Sequence, residues 1–394
     1  MNRNSRLHFC DAGTVQTETE AQYSLNFKYL TTKVILFQDG KMAKRKPKKK
    51  KRLASLGSFI EAFYSMGLLF LEVIRYMNPF WLPCVVLNTF RFYLYLPVFA
   101  LILWSLAKKR YVRHLFAYVN LACFLYFYGF LFLPKLSREP EGKNAGGLKV
   151  MTFNIQANRQ GTDGIIEYLK TEQPDVLALQ EIQNKSVIID SLRKNNYHFG
   201  HRPYYENSSI GMLIAVKKPL KLNRILRKTY HKKGRWSYLF AEVINDSGTT
   251  LFNEKVPIRF NIVCPHLLPF GLRNNILKDL EGNLKKINRH TVWQVQETIA
   301  LLELVKGFED PTIMLGDFNS TPEQKLHLEI NNYMNDCWLD KGYGYGGTRT
   351  FFVPLRIDYI YLTPHFNVYS SRRGPSNLSD HRAVITKIGL NNQR

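Results

Sequence analysis

The chain has 394 residues, with 55 Lys/Arg against 31 Asp/Glu and a formal net charge of +24. This length accommodates one large domain and a smaller one. Residues 1–148 carry 22 basic and 8 acidic residues, a net of +14, and the remainder carries 33 and 23, a net of +10. Such a balance favours anionic partners: lipid head groups, nucleic acid or phosphorylated substrates. The five cysteines, at positions 10, 84, 123, 264 and 337, are scattered without paired spacing and suggest no zinc or disulfide framework.

Residues 1–56 are predicted to form a disordered basic N-terminal region. Residues 1–40 are polar and mixed, without periodicity, whereas Lys41 to Arg52 contains nine basic residues and no acidic one. We hypothesise that Met42 is the initiator and that residues 1–41 are disordered or spurious. N-terminal sequencing of native protein that starts at Met1 would contradict this.

Residues 57–136 are predicted to be a membrane anchor with two or three transmembrane helices. Segment 59–77 is apolar but contains Glu61, Glu72 and Arg75, and segment 79–107 is apolar apart from Arg91. Segment 115–134 has no charge and is long enough to cross a hydrocarbon core of about 30 Å. Arg91 either snorkels or marks the true start of the second span.

The basic residues predict the topology. The basic run precedes the first segment, and 108–113 contains four basic residues between the second and third. Under the positive-inside rule both regions face the cytoplasm. Three spans across the cytoplasmic (inner) membrane would leave the rest of the chain extracytoplasmic, whereas two would leave it cytoplasmic. A cleavable signal peptide is not expected, because the basic run lies too far in and no small-residue cleavage site follows.

A linker at 137–147, polar with Gly and Pro, precedes a domain at 148–394. Short apolar β runs alternate there with amphipathic helices, and the turn signal at 245–248 predicts a hairpin. Strands dominate, which predicts two sheets packed face to face with helices outside. The predicted strands are 148–155, 175–181, 211–216, 238–244, 258–264, 312–315, 356–362 and 383–388, and the predicted helices are 164–172 and 290–305.

Polar side chains recur at the strand ends of this domain. Because a sandwich gathers its strand ends into one rim, we expect them to form one oxygen-rich site. Oxygen ligands suit Mg²⁺ or Mn²⁺ rather than zinc. The residues are Asn154, Glu181, His266, Asp317, Asn319, Asp358, Asp380 and His381.

This combination indicates phosphoester hydrolysis, which requires charge neutralisation, an activated water and help for the leaving oxygen. Glu181 can hold a metal, with Asp380 or Asn154 near it. Asp317 can orient or deprotonate water. His381, held by Asp358, can bind the phosphate as a cation or act as acid or base. The remaining two residues, Asn319 and His266, can donate to phosphate oxygens.

The domain resembles the endonuclease/exonuclease/phosphatase superfamily, which has the DNase I-like fold. The matching segments, in family order, are VMTFNI, DVLALQEI, CPHL, IMLGDFNSTP, RIDYIYL and SDHRAVI. The resemblance implies an α/β fold, a four-layered α/β sandwich, preceded here by N-terminal transmembrane helices as in the membrane-anchored bacterial branch. It also implies a divalent-cation site, with Asn154, Glu181 and Asp380 on the metal side.

The resemblance further implies roles for the other residues. Asp317 matches the water-activating aspartate, with Asn319 beside it, and Asp358 and His381 match an Asp–His pair. His266 matches a histidine near the leaving group, although the preceding Pro265 is unusual for such a strand end.

Three functions remain open at this point. The first is a membrane-anchored, Mg²⁺- or Mn²⁺-dependent phosphoesterase that acts on phosphodiester, phosphomonoester or pyrophosphate bonds, including those of lipid-linked substrates. The second is a membrane-tethered endonuclease or exonuclease on DNA or RNA. The third is an inactive scaffold, against which the intact acidic and histidine set argues. No specific protein partner is predicted.

Overall fold

The computed structural model describes residues 49–77, 82–109, 111–136, 147–183, 186–204, 208–229, 237–245, 259–269, 280–350 and 352–391. The chain divides into two compact units, Met1–Phe59 and Ile60–Arg394. Most of the first unit, including the hypothetical start at Met42, lies outside the described residues. So does nearly all of the 137–147 linker.

Helices form the N-terminal part of the described chain. They are α1 (Lys49–Met77), α2 (Leu82–Thr89), α3 (Arg91–Leu94), α4 (Leu96–Lys108) and α5 (Leu115–Tyr128), and 3₁₀ turns lie at Val112–His114 and Gly129–Phe132. The predicted 79–107 segment is therefore broken at Phe90 and Tyr95. Pro97 lies in the first turn of α4, where a proline is tolerated because no N–H partner is needed.

The long helices alternate in direction. Asn120 of α5 donates to the Ser65 carbonyl of α1, and further along both helices the Arg75 guanidinium lies 5.3 Å from the Phe127 ring, so these helices run parallel. Between α4 and α5 the pairing is reversed, because Phe99 stacks edge-on against Phe124 at 5.0 Å, while the Tyr118 hydroxyl bonds Ser105.

Within the described residues, two helical stretches are long and apolar enough to cross a membrane, Arg91–Lys108 and Leu115–Phe132. The first of these stretches begins at Arg91, but whether Arg91 starts a span or snorkels stays a prediction. Helix α1 forms and is not one of these two stretches.

The first sheet follows from Leu148. Its strands are β1 (Leu148–Asn154), β2 (Val176–Gln183), β3 (Tyr197–Pro203), β4 (Ile210–Lys217), β13 (Phe366–Arg373) and β14 (Val384–Leu390), in the order β13-β14-β1-β2-β4-β3. β1 and β2 are parallel and form the centre, and β14 and β4 flank them antiparallel. Because β1 and β2 point the same way, Asn154 and Glu181 reach the same edge.

The strands of the second sheet are β5 (Leu220–Thr229), β6 (Ser237–Asn245), β7 (Arg259–His266), β8 (Thr312–Asp317), β9 (Asn335–Asp336) and β12 (Asp358–Leu362). Their order is β5-β6-β7-β8-β12-β9. β6 and β7 pair antiparallel, as the predicted hairpin requires, although residues 246–258 between them lie outside the described residues. β7 and β8 run parallel, and β12 runs antiparallel to β8.

Three apolar cores produce the layers. Inward-facing side chains of both sheets, such as Val150, Ala178 and Ile262, form the central core. Helices α6 (Asp163–Glu172) and α7 (Val187–Lys194) cover the outer face of the first sheet through Ile165 and Leu192. Helices α8 (Leu280–Lys306) and α9 (Lys325–Asn331) cover the second sheet. The order helix, sheet, sheet, helix confirms the expected two-sheet α/β architecture.

The predicted strands and helices form, with bounds that shift by a few residues. The 290–305 helix is the second half of α8, and the 356–362 strand begins two residues later. The elements that the sequence reading missed are β3, β5, β9, β13, α7, α9, the hairpin β10 (Arg349–Thr350) with β11 (Pro354–Leu355), and α10 (Cys337–Lys341).

Candidate active site

Neighbouring strands bring the predicted residues together at one edge of the sandwich. His266 ends β7 and Asp317 ends β8, and the parallel register pairs them directly. Asp358 begins β12, and because β12 is antiparallel to β8, its first residue lies opposite Asp317. Gly316 is required for this approach, since a Cβ there would lie 2.1 Å from the Pro265 carbonyl oxygen. Pro265 is thus accommodated within β7, one residue before His266.

A bulge presents Glu181 to the site. The β2–β4 register shifts between Gln180 and Ile182, and Glu181 has a φ of 57°. A positive φ is sterically strained for a glutamate, and residues with such strain cluster at functional sites. Bulges re-aim side chains in this way. Glu181 consequently leaves the strand alternation, and its side chain stays 29% exposed while its neighbours are buried.

Asn154 links two carboxylates. Its Nδ2 donates to Glu181 Oε1 at 3.1 Å and to Asp317 Oδ2 at 3.0 Å, while its Oδ1 accepts from the Gln156 N–H at 3.0 Å. The amide therefore holds the two carboxylates side by side. In this arrangement its nitrogen, rather than its oxygen, faces the acidic groups.

Asp317 is the buried centre of the site, 1% exposed. Its Oδ1 accepts from the Asn319 N–H at 2.8 Å. Burial raises the pKa of Asp317, and Asp358 raises it further, while His381, His266 and the Asn154 hydrogen bond oppose the shift. Asn319 adopts a φ of 49°, and its side-chain Nδ2 donates to the Leu267 carbonyl. That bond fixes the turn after β8.

Asp358 orients His381. Asp358 Oδ2 lies 2.9 Å from His381 Nδ1, and Nε2 of the same ring lies 3.9 Å from Asp317 Oδ2. Burial alone would lower the pKa of His381, but Asp358 and Asp317 outweigh it and raise the pKa to about 9. His381 is therefore a buried imidazolium at neutral pH. Ser379 fastens this loop to β1 by donating to the Asn154 carbonyl at 2.8 Å.

Asp380 and Arg349 form the more exposed side of the site. Asp380 Oδ1 lies 4.0 Å from His381 Nε2, and its Oδ2 lies 3.6 Å from Arg349 Nη2. Arg349 also forms an antiparallel bridge with His381. The Arg349 side chain is 37% exposed and the Asp380 side chain 24%, so this ion pair is open to solvent.

Tyr204 controls the orientation of His266. Its buried hydroxyl accepts from the Glu181 N–H at 2.9 Å and lies 2.6 Å from His266 Nδ1. Burial raises the pKa of the Tyr204 phenol well above its usual value, so the hydroxyl keeps its proton. If the hydroxyl donates to Nδ1, the His266 proton resides on Nε2, which lies 3.5 Å from Asp317 Oδ2. Burial lowers the pKa of His266, so the ring is neutral.

The donor set fits a hard divalent cation. Asp358 Oδ1 is buried without a hydrogen-bond partner, which is the kind of atom that a metal or substrate group satisfies. Asp317, Asp358 and His381 offer ligand atoms within 4.8 Å of one another. This group differs from the predicted Glu181, Asn154 and Asp380. Since His381 Nδ1 and Asp358 Oδ2 already bond each other, we favour proton chemistry for that group and metal binding at the accessible Glu181.

All eight predicted residues therefore lie in one connected network. Sequence reasoning missed Tyr204, Arg349 and Ser379. Ser379 was visible, because it precedes Asp380 in the segment that carries the resemblance. Tyr204 and Arg349 lie outside the matching segments, and only the fold brings them to His266 and His381.

The chain thus combines a two-sheet α/β sandwich with carboxylates, amides and an Asp–His pair at one edge. The model of the endonuclease/exonuclease/phosphatase family matches residues 151–381, and the chain belongs to this family. Its members hydrolyse phosphoester bonds and generally use divalent metals. No curated protein sequence matches the chain.

Solved structures at low identity align with this chain over about two thirds of its length. The catalytic domain of human Nocturnin with bound sulfate is 17% identical, with 62% of this chain and 95% of that chain covered and a TM-score of 0.47. An endonuclease/exonuclease/phosphatase from Bacteroides vulgatus is 15% identical, with 62% and 99% covered and a TM-score of 0.48. ANGEL2, a 2′,3′-cyclic phosphatase, in complex with adenosine-2′,3′-vanadate is 16% identical, with 64% and 97% covered and a TM-score of 0.47.

Proposed function

We propose that this protein is a membrane-anchored, divalent-metal-dependent phosphoesterase that hydrolyses a lipid-linked phosphate or pyrophosphate. The observation that carries the proposal is the network around Asp317. A carboxylate with a raised pKa lies 3.9 Å from a buried imidazolium, His381, and both connect to the exposed acids Glu181 and Asp380. A water nucleophile and an anionic phosphate need these opposite functions next to each other.

Each residue then has a defined task. Asp317 accepts a proton from the attacking water, for which a raised pKa is favourable. His381, oriented by Asp358, binds the non-bridging phosphate oxygens as a cation. The Nε2–H of His266 donates to the phosphate or leaving oxygen. Glu181 would hold Mg²⁺ or Mn²⁺, with Asp380 near it and Asn154 fixing the carboxylate, and the bound metal supplies Lewis-acid stabilisation of the developing charge.

The exposed faces of α4 and α5 support the membrane anchor. Leu103, Trp104, Leu125 and Tyr126 are each more than half exposed. Water would disfavour so much apolar surface on neighbouring helices, whereas lipid would not. The alternating directions of α1, α4 and α5 support a third crossing by α1, with its Glu72 neutralised by Arg91. Three crossings, with the N-terminus in the cytoplasm, would leave the catalytic domain outside it.

Apolar residues near the end of α5 support a lipid substrate. Leu133, Leu136, Tyr343 and Phe352 are all at least 60% exposed, and Tyr343 packs edge-on against Phe132 at 6.3 Å. An interfacial surface of this kind suits a site that takes its substrate from the bilayer.

A substrate panel tests the function. The full chain in detergent or nanodiscs would be incubated with Mg²⁺ and plasmid DNA, RNA, sphingomyelin, phosphoinositides or undecaprenyl pyrophosphate. We expect hydrolysis of a lipid substrate, loss with EDTA and recovery with Mg²⁺ or Mn²⁺. Cleavage of nucleic acid alone would reject the lipid assignment, and EDTA-resistant hydrolysis would reject the metal dependence.

A reporter fused after Arg394 tests the topology. We expect activity from a reporter that functions outside the cytoplasm and none from one that requires the cytoplasm. The reverse result would mean that only two helices cross.

A tethered nuclease is the second candidate, favoured by the net charge of +10 on residues 149–394. Phosphate contacts by basic residues would make nucleic-acid affinity fall steeply with salt. Nuclease activity lost between 50 and 200 mM salt, roughly the range over which such contacts weaken, would favour this candidate.

A further inference from the structure

We propose that Arg349 is a further catalytic residue that binds the substrate phosphate, and that the N-terminal helices hold the loop that carries it. This inference deepens the proposed function and rests on it. It makes the helical region a structural part of the active site rather than a tether alone.

Arg349 has the geometry of a phosphate ligand. Its Nη2 lies 3.6 Å from Asp380 Oδ2, an ion pair that is longer than a hydrogen bond. A guanidinium carries five N–H donors in a fixed fork, which suits bidentate binding of phosphate. The Arg349 side chain is 37% exposed, so its guanidinium is accessible to a substrate that enters from solvent.

The loop around Arg349 is tied to the catalytic residues by its backbone. The Thr348 hydroxyl accepts from the Asp358 N–H at 3.1 Å, and the Thr350 N–H donates to the Asp380 carbonyl at 3.0 Å. The Thr348 carbonyl accepts from the Arg382 N–H at 2.6 Å. Arg349 therefore lies between two residues that are fixed relative to Asp358 and Asp380, which defines where its guanidinium can reach.

The other side of the same loop rests on the N-terminal helices. Phe352 stacks on Phe90 with ring centroids 5.0 Å apart, and Tyr345 stacks on Phe92 at 4.4 Å. The Gly344 N–H donates to the Leu131 carbonyl at 2.7 Å.

These contacts flank Arg349 on both sides in sequence. Tyr93 adds a hydrogen bond from its hydroxyl to the Pro354 carbonyl. The helices near Arg91 and at the end of α5 thus support the strand that presents Arg349. A displacement of those helices would be transmitted to the guanidinium.

The first experiment measures Arg349 directly, in full-length protein in nanodiscs with Mg²⁺ and bis(p-nitrophenyl) phosphate. We expect Arg349→Gln to lower kcat/KM by ~10²-fold, the scale of a charge-stabilising group. Arg349→Lys should recover part of the loss, because lysine keeps the charge without the fork. Arg193→Gln is the matched control, since Arg193 forms an exposed ion pair with Asp190 on α7. Equal rates for the Arg349 and Arg193 variants would overturn the assignment.

The second experiment measures the support from the helices. Phe352→Ala should raise KM by ~5–10-fold while the melting temperature changes no more than in Tyr333→Ala, an exposed aromatic control. Identical kinetics in the two variants would overturn the coupling. Should wild-type protein cleave no phosphoester, the proposed function fails, and calorimetric binding of inorganic phosphate then decides on Arg349 alone. Loss of that binding in Arg349→Gln supports the inference, and unchanged binding rejects it.

Discussion

The buried charge cluster of the helical region and the one at the sandwich edge are built differently. In the helical region, Glu72 Oε1 accepts hydrogen bonds from Arg91 Nε at 2.5 Å and from the Tyr95 hydroxyl at 2.7 Å. Glu72 Oε2 accepts a hydrogen bond from Arg91 Nη2. Both glutamate oxygens are thus bonded. At the sandwich edge, Asp358 uses one oxygen on His381 and leaves the other buried without a hydrogen bond.

The comparison separates structural from functional burial of charge. Burial of an ion pair costs desolvation energy, and hydrogen bonds on every oxygen recover it. The carboxylate of the helix cluster is complete in this sense, although Arg75 Nη1, 3.9 Å from Glu72 Oε2, is buried without a hydrogen bond. The sandwich cluster is incomplete and connects to solvent through Glu181, Asp380 and Arg349, so a substrate and a metal can complete it. A buried acid with a shifted pKa therefore indicates a functional site only when some polar atoms of its network lack a protein partner.

The largest expected effect is on stability, at the helix cluster. Glu72→Gln should lower the free energy of unfolding by ~3–5 kcal/mol, because it leaves the buried Arg91 charge uncompensated. Glu72→Met combined with Arg91→Met should restore part of that loss, since neither charge of the Glu72–Arg91 pair then remains buried. Thermal or denaturant unfolding in one detergent measures both. A single variant as stable as wild type would remove the distinction between the clusters.

The next effect is on rate, at the sandwich cluster. Asp317→Ala should reduce kcat by ~10²-fold or more, because it removes the proton acceptor. Its stability should not fall as in Glu72→Gln, since removal of a buried acid with a raised pKa relieves repulsion with Asp358. Steady-state hydrolysis rates and melting temperatures, measured on the same preparations, test both expectations. A near-wild-type rate would falsify the role of Asp317.

The sequence predicted the sandwich cluster better than its surroundings. Asn154, Glu181, Asp317 and Asp358 lie beside apolar runs whose period identifies strands, so strand pairing alone brings them together. The bulge that turns Glu181 outward could not be predicted, because it depends on how β2 pairs with β4. Strand β5 was missed because its basic residues mask the apolar alternation of LKLNRILRKT.

The missed site residues share a physical reason. Tyr204 reaches His266 across 62 positions, and Arg349 reaches His381 across 32, through contacts that no local pattern encodes. Asn154 was predicted on the metal side, a role that stays a prediction. Which of its amide atoms faces the carboxylates depends on Gln156, whose N–H takes the oxygen. Local patterns identify candidates, and long-range packing assigns their orientation.

A smaller effect concerns pH. With the pKa of His381 at about 9 and that of Asp317 above its usual value, activity should fall at the basic side near 9 and at the acidic side above the ordinary aspartate range. Asp358→Asn should move the basic limb of kcat/KM down toward the ordinary histidine value of 6.5, because the main charge that raises it is gone. An unmoved basic limb would mean that another group titrates there.

The raised pKa of His381 also predicts how the free energy of unfolding changes with pH. The folded-state pKa of His381 is raised, so its contribution is full below about 6.5 and is lost as pH rises through about 9. Unfolding free energy measured between these values should therefore decline in wild type more than in His381→Gln. Parallel curves would contradict the ion pair with Asp358.

The smallest effect tests how the open cluster is kept in order. Tyr204→Phe removes the hydroxyl that fixes His266 Nδ1 and receives the Glu181 N–H, which should cost ~1–3 kcal/mol for the buried groups left unpaired. It should also reduce kcat by roughly 10-fold, because the His266 proton is no longer confined to Nε2. Tyr197→Phe is the matched control, since the Tyr197 hydroxyl is also buried and donates to the Pro174 carbonyl, away from the site. Both variants should lose stability, and only Tyr204→Phe should lose rate; equal rates would make Tyr204 a core residue like its control.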